Sequence, residues 1–259
     1  MEEQSLQRTG EAPVISIRGL HRAFDEFEVL RGIDMDVFRG ENVVVLGRSG
    51  AGKSVLIKII VGLLPPGSGS VSVLGHDISR LDKKGWRQLR LQTGFLFQGS
   101  ALYDSMTVEE NLLFPLTRNF RSLAPRQAQA AVDAVLEAVG LEHTRRQMPS
   151  ELSGGQQKRI AIARTLILKP QIMLYDEPTA GLDPITSAEI NNLINEVRER
   201  YRCSSIIITH DLTCARMTGD RVLMLHQGKF IREGTFDQVF ATEDERIRGF
   251  FDYNTYATK

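Results

Sequence analysis

The feature that most constrains this chain is an apolar run, Val43-Val44-Val45-Leu46, that passes without a break into Gly47-Arg48-Ser49-Gly50-Ala51-Gly52-Lys53-Ser54. The octapeptide matches G-x-x-x-x-G-K-[ST] at every fixed position and sits between a strand pattern and a helix pattern. Its glycines let the backbone curl so that successive N–H groups face an anion, and the following helix adds the positive end of its dipole. That helix opens at Ser54, with Leu56, Ile59, Ile60 and Leu63 spaced to form one buried face. Lys53 would reach the β- and γ-phosphates of a nucleoside triphosphate, and Ser54 would hold Mg²⁺ through its hydroxyl.

Four more apolar runs read as buried strands: Gly94 to Phe97, Ile172 to Tyr175, Ser205 to Thr209 and Val222 to Leu225. Helical patterns lie between most of them, so the sequence predicts parallel strands with helical crossovers. One helix follows Pro184, with Ile190, Leu193, Ile194 and Val197 on one face. Another starts at Pro125 and carries Ala128, Ala131, Val132, Val135 and Val139. Val14 to Ile17, Val29 to Val37 and Ser70 to Leu74 are shorter pieces broken by Gly and Asp turns, which predict a small antiparallel layer beside the core. From about Gly99 to Leu152 the pattern is helical, as for a subdomain inserted into the α/β core. The expected division is a tail over 1–13, the core over 14–98 and 156–242, the helical insert over 99–155, and a second tail over 243–259.

Composition narrows the function classes. The 259 residues carry 32 Lys+Arg and 32 Asp+Glu, and this balance argues against a polyanion partner such as nucleic acid. The two cysteines, Cys203 and Cys214, form neither a disulfide framework nor a metal motif and point to a reducing compartment. Met1 to Gly10 lacks the apolar centre of a secretory signal, and no apolar run approaches the roughly 20 residues of a membrane span. Any membrane role therefore has to pass through a partner.

Ile172-Met173-Leu174-Tyr175 ends in Asp176-Glu177, which puts two carboxylates at the edge of a parallel sheet where ligands bind. Asp176 suits completion of a Mg²⁺ shell. Glu177 is placed to orient, or take a proton from, an attacking water. Leu152-Ser153-Gly154-Gly155-Gln156 precedes a helix from Gln157 to Leu168 and offers a second helix N-terminus with bared backbone.

With that pentapeptide, LSGGQ, the chain resembles the ATP-binding cassette (ABC) ATPases, and the resemblance spans about Val14 to Phe240. It implies a P-loop NTPase, RecA-like core that binds ATP and Mg²⁺. It also implies that Ser153, Gly154, Gly155 and Gln156 serve the nucleotide held by a second copy of the chain. By the same resemblance, Gln98 is the glutamine that touches Mg²⁺ and water, and His210 the histidine that contacts the γ-phosphate. Ala180-Gly181-Leu182-Asp183 would pass between protomers, and Phe24 would stack on adenine or else be a core or edge-strand residue. His21, His76, His143 and His226 have no such placement and are expected at the surface.

The segment from Phe97 through Ala101-Leu102-Tyr103-Asp104-Ser105-Met106 to Pro115-Leu116 looks like the Mla-type lipid-transport ATPases. So do Gly181 to Ser187 and Arg246 to Phe251. That likeness implies a position on the inner face of the cell membrane, integral-membrane permease subunits, an MCE-type substrate-binding protein, a STAS-domain regulator and a phospholipid cargo. An importer of polar solutes of the amino-acid type is the alternative, and a soluble ABC ATPase of translation or DNA repair is another. Leu102, Tyr103 and Met106 either form a groove for a membrane-subunit helix or pack the insert. Phe250, Phe251, Tyr253 and Tyr256 either dock the C-terminal tail on a partner or fold it back on its own domain.

Overall fold

The computed structural model describes residues 11–120 and 122–256. The chain runs through β1 (Ile15–Phe24), β2 (Phe27–Val37), β3 (Asn42–Leu46), α1 (Lys53–Ile60), β4 (Ser68–Val73), β5 (His76–Asp77), α2 (Lys83–Gln92) and β6 (Thr93–Leu96). The helical segment α3 (Val108–Asn119), α4 (Pro125–Val139) and α5 (Gly154–Leu166) follows. The chain then returns through β7 (Ile172–Asp176), α6 (Pro184–Tyr201), β8 (Ser204–Thr209), α7 (Leu212–Thr218), β9 (Arg221–His226), β10 (Lys229–Gly234), α8 (Phe236–Phe240) and α9 (Glu245–Tyr256).

Two sheets result. The larger has the order β10-β9-β3-β8-β7-β6, with β9 through β6 parallel and β10 added antiparallel to β9. The smaller, β2-β1-β4-β5, is antiparallel throughout. Its β1 continues past the expected Ile17 to Phe24, because a bulge between Ile17 and Leu20, with Gly19 at φ +52°, bends the strand without ending it.

The apolar strands have no polar face because each face meets a different core. Val44, Leu46, Met173, Tyr175, Ile207 and Val222 point into one core, which is continuous with α3 to α7. Their neighbours Val43, Val45, Ile172, Leu174, Ile206 and Leu223 point into the other, beneath α1 and the antiparallel sheet. The insert shares a core with the parallel sheet, so displacement of α3 to α5 works against β7, the strand that ends in the acidic pair. Both cysteines are free and buried, and no helix among the described residues is long and apolar enough to cross a membrane.

Two expectations are corrected. Leu63 does not extend the α1 face: the helix stops at Ile60, Gly62 takes φ +68°, and Leu63 is 50% exposed. The left-handed Gly62 turns the chain out of the helix, and the Trp86 ring, 2.4 Å from where a Cβ on Gly62 would be, leaves room for no other residue there. Nor, over residues 243–256, is the expected C-terminal tail of 243–259 a simple tail, because α9 buries Ile247 and Phe250; residues 257–259 lie outside the described residues. Of the expected N-terminal tail, residues 1–10 lie outside the described residues.

Candidate active site

The phosphate loop leaves the centre of the parallel sheet at Leu46 and turns into α1. Gly50 (φ +80°) and Gly52 (φ +105°) take backbone conformations that favour glycine. Space enforces the same choice: a Cβ on Gly47 would lie 2.6 Å from the Leu225 carbonyl oxygen, and one on Gly52 would lie 2.9 Å from Leu30 Cδ2. Gly52 caps α1 with no side-chain hydrogen bond, so the first-turn N–H groups keep their capacity to bind an anion. Lys53 is buried and donates from Nζ to the carbonyls of Gly47 at 2.6 Å and Arg48 at 3.2 Å. It thus lies back along the loop it would help to fill.

Parallel pairing of β8 with both β3 and β7 brings the acidic pair to the same edge. Ser54 Oγ donates to Asp176 Oδ1 at 3.2 Å. Burial raises the Asp176 pKa above its usual value, while the Ser54 hydrogen bond pulls it down. A hydroxyl and a carboxylate at this separation are hard oxygen donors suited to Mg²⁺, and that ion is commonly shared with substrate phosphates. Among the described residues no cluster of three or more His, Cys, Asp or Glu offers an all-protein metal site.

Glu177 is the conformational outlier of the site. Its φ of +49° is in the left-handed region, and its N–H is tied to the Ile208 carbonyl at 2.9 Å. Such strain at a non-glycine residue costs on the order of 1–3 kcal/mol and persists where the surroundings dictate it. The conformation delivers a buried carboxylate to three groups: the His210 backbone N–H at 3.3 Å, His210 Nδ1 at 3.0 Å and Lys53 Nζ at 3.4 Å. A carboxylate held between an ammonium and an imidazole can orient a water and accept its proton.

These groups face a cleft of about 910 Å³, which also takes in Ser49, Gln98 and Phe24. Gln98 is exposed just beyond β6. Phe24, at the end of β1, is 38% exposed, and the Arg22 guanidinium lies 4.7 Å from its ring centroid. The other sequence-predicted residues are elsewhere. Ser153 and Gln156 cap α5 reciprocally, with Ser153 N donating to Gln156 Oε1 at 2.9 Å and Gln156 N to Ser153 Oγ at 3.3 Å. Gly155 lets α5 press on α6, since a Cβ there would be 2.4 Å from Thr186 Cγ2. Asp183 caps α6 by accepting from the N–H groups of Ile185 and Thr186. None of Ser153, Gly154, Gly155, Gln156 or Asp183 lines the cleft of its own chain. Of the remaining histidines, His76 and His143 are exposed, while His21 is half-buried and pairs with Glu28 at 2.7 Å.

Two features escaped the sequence reading. Lys158 of α5 is buried and donates from Nζ to the Gln98 carbonyl; burial lowers its pKa, while Asp176 and Glu177 act to raise it. It ties the helix behind the LSGGQ loop to the glutamine at the cleft. A lysine on the same stripe as Gly155 and Ile162, with no water to reach, was the available signal. The second feature is α9, which brings Phe250, Tyr253 and Asn254 to the cleft; its Ile247, Phe250, Phe251 and Asn254 have helical spacing.

Comparisons with known proteins agree with this geometry. A family model described as ABC transporter matches residues 30–180. The methionine import ATP-binding protein MetN of Brucella abortus is 36% identical over 91% of this chain, which spans 63% of MetN's length. Among solved structures, cbiO1 from Clostridium perfringens, part of the ABC transporter complex cbiONQ, superposes with a TM-score of 0.83 at 32% identity, covering 95% of this chain and 98% of cbiO1. The dimeric bacterial ABC transporter cassette MJ0796 gives a TM-score of 0.78 at 30% identity, covering 86% of this chain and 98% of that one.

Proposed function

This chain belongs to the ABC transporter family, and on that premise we propose that it is the ATP-hydrolysing subunit of a transporter, working as a pair of copies beneath separate membrane permeases. The observation that carries the proposal is the division of the site. Lys53, Ser54, Glu177 and His210 line one cleft, with Asp176 hydrogen-bonded to Ser54 behind it, whereas Ser153 to Gln156 present a helix N-terminus outside it. An anion-binding terminus that cannot serve its own cleft is suited to serve another chain's.

In this reading the loop N–H groups and Lys53 hold the β- and γ-phosphates, and Phe24 flanks the base. Ser54 and Asp176, with Gln98 nearby, would hold Mg²⁺, which when bound neutralises phosphate charge. Glu177 receives the proton of the attacking water, and His210 fixes the Glu177 carboxylate and faces the γ-phosphate. The other copy's Ser153 to Gln156 loop closes the site, with each Asp183 segment between the two. Loss of the γ-phosphate removes the contact shared by two rigid bodies and releases them. The movement passes to the permeases through α3 to α5, past Leu102, Tyr103 and Met106.

For the cargo, the methionine import name of MetN supports a polar solute of the amino-acid type. A lipid cargo is the second reading. It is favoured by the Phe97 to Leu116 segment, where Tyr103 and Phe114 form an exposed aromatic pair with centroids 4.9 Å apart, and it would bring MCE-type and STAS-domain partners. Purification of the full chain with its companions from detergent-solubilised membranes tests both readings. A permease with a solute-binding protein and no bound phospholipid supports import of a polar solute, and an MCE-type companion with phospholipid replaces that reading. Absence of any membrane protein, with hydrolysis stimulated by nucleic acid, overturns the transport proposal.

A further inference from the structure

Helix α9 lies beyond the matched family segment, residues 30–180, and has no part in the phosphate motif. It is nevertheless held firmly. Ile247 and Phe250 are each 1% exposed, and the Phe251 ring packs at a tilt of 52° against Phe240 of α8 with centroids 5.1 Å apart. Asp244 secures the start of the helix by accepting from the Arg246 N–H at 2.9 Å. With one face fixed, the next turn carries Tyr253 to the cleft that contains Lys53 and Glu177. Tyr253 is 66% exposed, and the Arg48 guanidinium, from the phosphate loop itself, lies 5.9 Å from its ring centroid.

The chemistry of the cleft divides its lining. The loop N–H groups and Lys53 suit phosphate oxygens, and Ser54 with Asp176 suits a hard cation. Neither kind of group has use for an aromatic face. Flat heterocycles do, because a base stacks on an aromatic ring with little regard to sequence or substituent. A second aromatic beside the phosphate loop, on an element anchored by its own buried residues, is therefore placed to contact the nucleoside part of a bound nucleotide.

We propose that Tyr253 is a nucleotide-binding residue, supplied by α9 as an aromatic wall for the nucleoside in addition to the one offered by Phe24. The proposal rests on the nucleotide reading above and extends it to the C-terminal helix. The affinity of the cleft for a purine nucleoside triphosphate then depends on α9 of the same chain.

The test uses the full-length protein and measures displacement of a fluorescent ATP analogue by MgATP and by tripolyphosphate, which has no base. Tyr253→Ala is expected to weaken MgATP by about five- to tenfold, toward the low end of base–aromatic stacking. Tripolyphosphate should bind it as it binds the parent, and Tyr253→Phe should bind MgATP like the parent. The exposed position of Tyr253 leaves the fold intact on truncation, which thermal melting checks. Unchanged MgATP affinity in Tyr253→Ala overturns the proposal. Equal weakening of MgATP and tripolyphosphate also overturns it, because the effect then lies in the phosphate loop through Arg48. Lys53→Ala separates the two levels: if it leaves MgATP affinity unchanged, the nucleotide reading itself fails, whatever Tyr253 does.

Discussion

Glu177→Gln isolates the proposed chemistry from binding. The amide has nearly the same shape as the carboxylate, but it keeps one acceptor and gains an N–H₂ group. Oε2 accepts from the His210 backbone N–H at 3.3 Å and faces Nδ1 at 3.0 Å, while Oε1 faces the Lys53 ammonium at 3.4 Å. An amide that keeps its oxygen toward His210 turns its N–H₂ group toward Lys53. At an effective dielectric of about 20 the lost attraction is roughly 5 kcal/mol. Most of it is offset because no carboxylate needs to be desolvated and repulsion from Asp176 is relieved. Lys53 also keeps its two carbonyl acceptors in the loop. The net cost to folding is then about 1.5–3 kcal/mol, that of one charged hydrogen bond, and below the ~5–15 kcal/mol that typically holds a domain folded. Loss of the proton acceptor should slow turnover by about 10²–10⁴-fold, or ~3–5 kcal/mol of barrier. Phosphate release at saturating MgATP measures the rate, and equilibrium binding measures the affinity, which should be retained. Light scattering in MgATP should find the variant accumulating as a pair of copies. Phosphate release within about tenfold of the parent would remove Glu177 from the role of base.

Gly155→Ala should destabilise the chain by about 1–3 kcal/mol, because its Cβ would approach Thr186 Cγ2 to 2.4 Å. Thr186→Ser removes that methyl group and keeps the hydroxyl that donates to Asp183 at 2.6 Å, so the double variant should recover the lost melting temperature. An equal loss in both backgrounds would refute the steric argument. The Arg246 hydrogen bond holds the Asp244 carboxyl at about 2, below its usual 3.8. A depressed carboxyl pKa contributes stability that is full above the usual value and is lost as the pH falls through the depressed one. Amide hydrogen exchange of α9, corrected for intrinsic rates, should therefore rise relative to α6 as the pH falls from 3.8 toward 2. Asp244→Asn should lose that pH dependence, and an unchanged profile would show that the carboxylate does not hold the helix.

Most of what is local in this molecule can be read from the chain. Val43 to Leu46 and Ile172 to Tyr175 announce buried strands because parallel strands meet a core on each face. The phosphate loop is legible because its conformation is written in consecutive residues. What escapes is set by contacts between distant segments. Leu63 has the spacing of a helix face, but the left-handed Gly62, where the distant Trp86 ring leaves no room for a side chain, ends the helix first. Lys158 acts on the carbonyl of Gln98, 60 positions away in the chain, and no local pattern encodes that reach. The acidic pair is visible as a motif, whereas the left-handed Glu177 that aims it follows only from the tie to Ile208 in the neighbouring strand.

The helix N-termini carry the same lesson into mechanism. In sequence, the starts of α1 and α5 look alike: each is glycine-rich, each exposes backbone, and each invites an anion. The structure separates them by their caps. Helix α1 begins on Gly52, which has no side chain to occupy the first-turn amides, so they are free to cradle phosphate within the same chain. Helix α5 begins on Ser153, whose hydroxyl already accepts from Gln156 N and whose own N–H is taken by the Gln156 amide oxygen. An anion arriving at α5 must therefore exchange for contacts that already exist, and its net gain is smaller than at α1. That difference suits the proposed pairing, in which a second copy presents a nucleotide already bound: α1 and Lys53 would secure the phosphates first, and α5 would add a contact weak enough to be released when the γ-phosphate leaves.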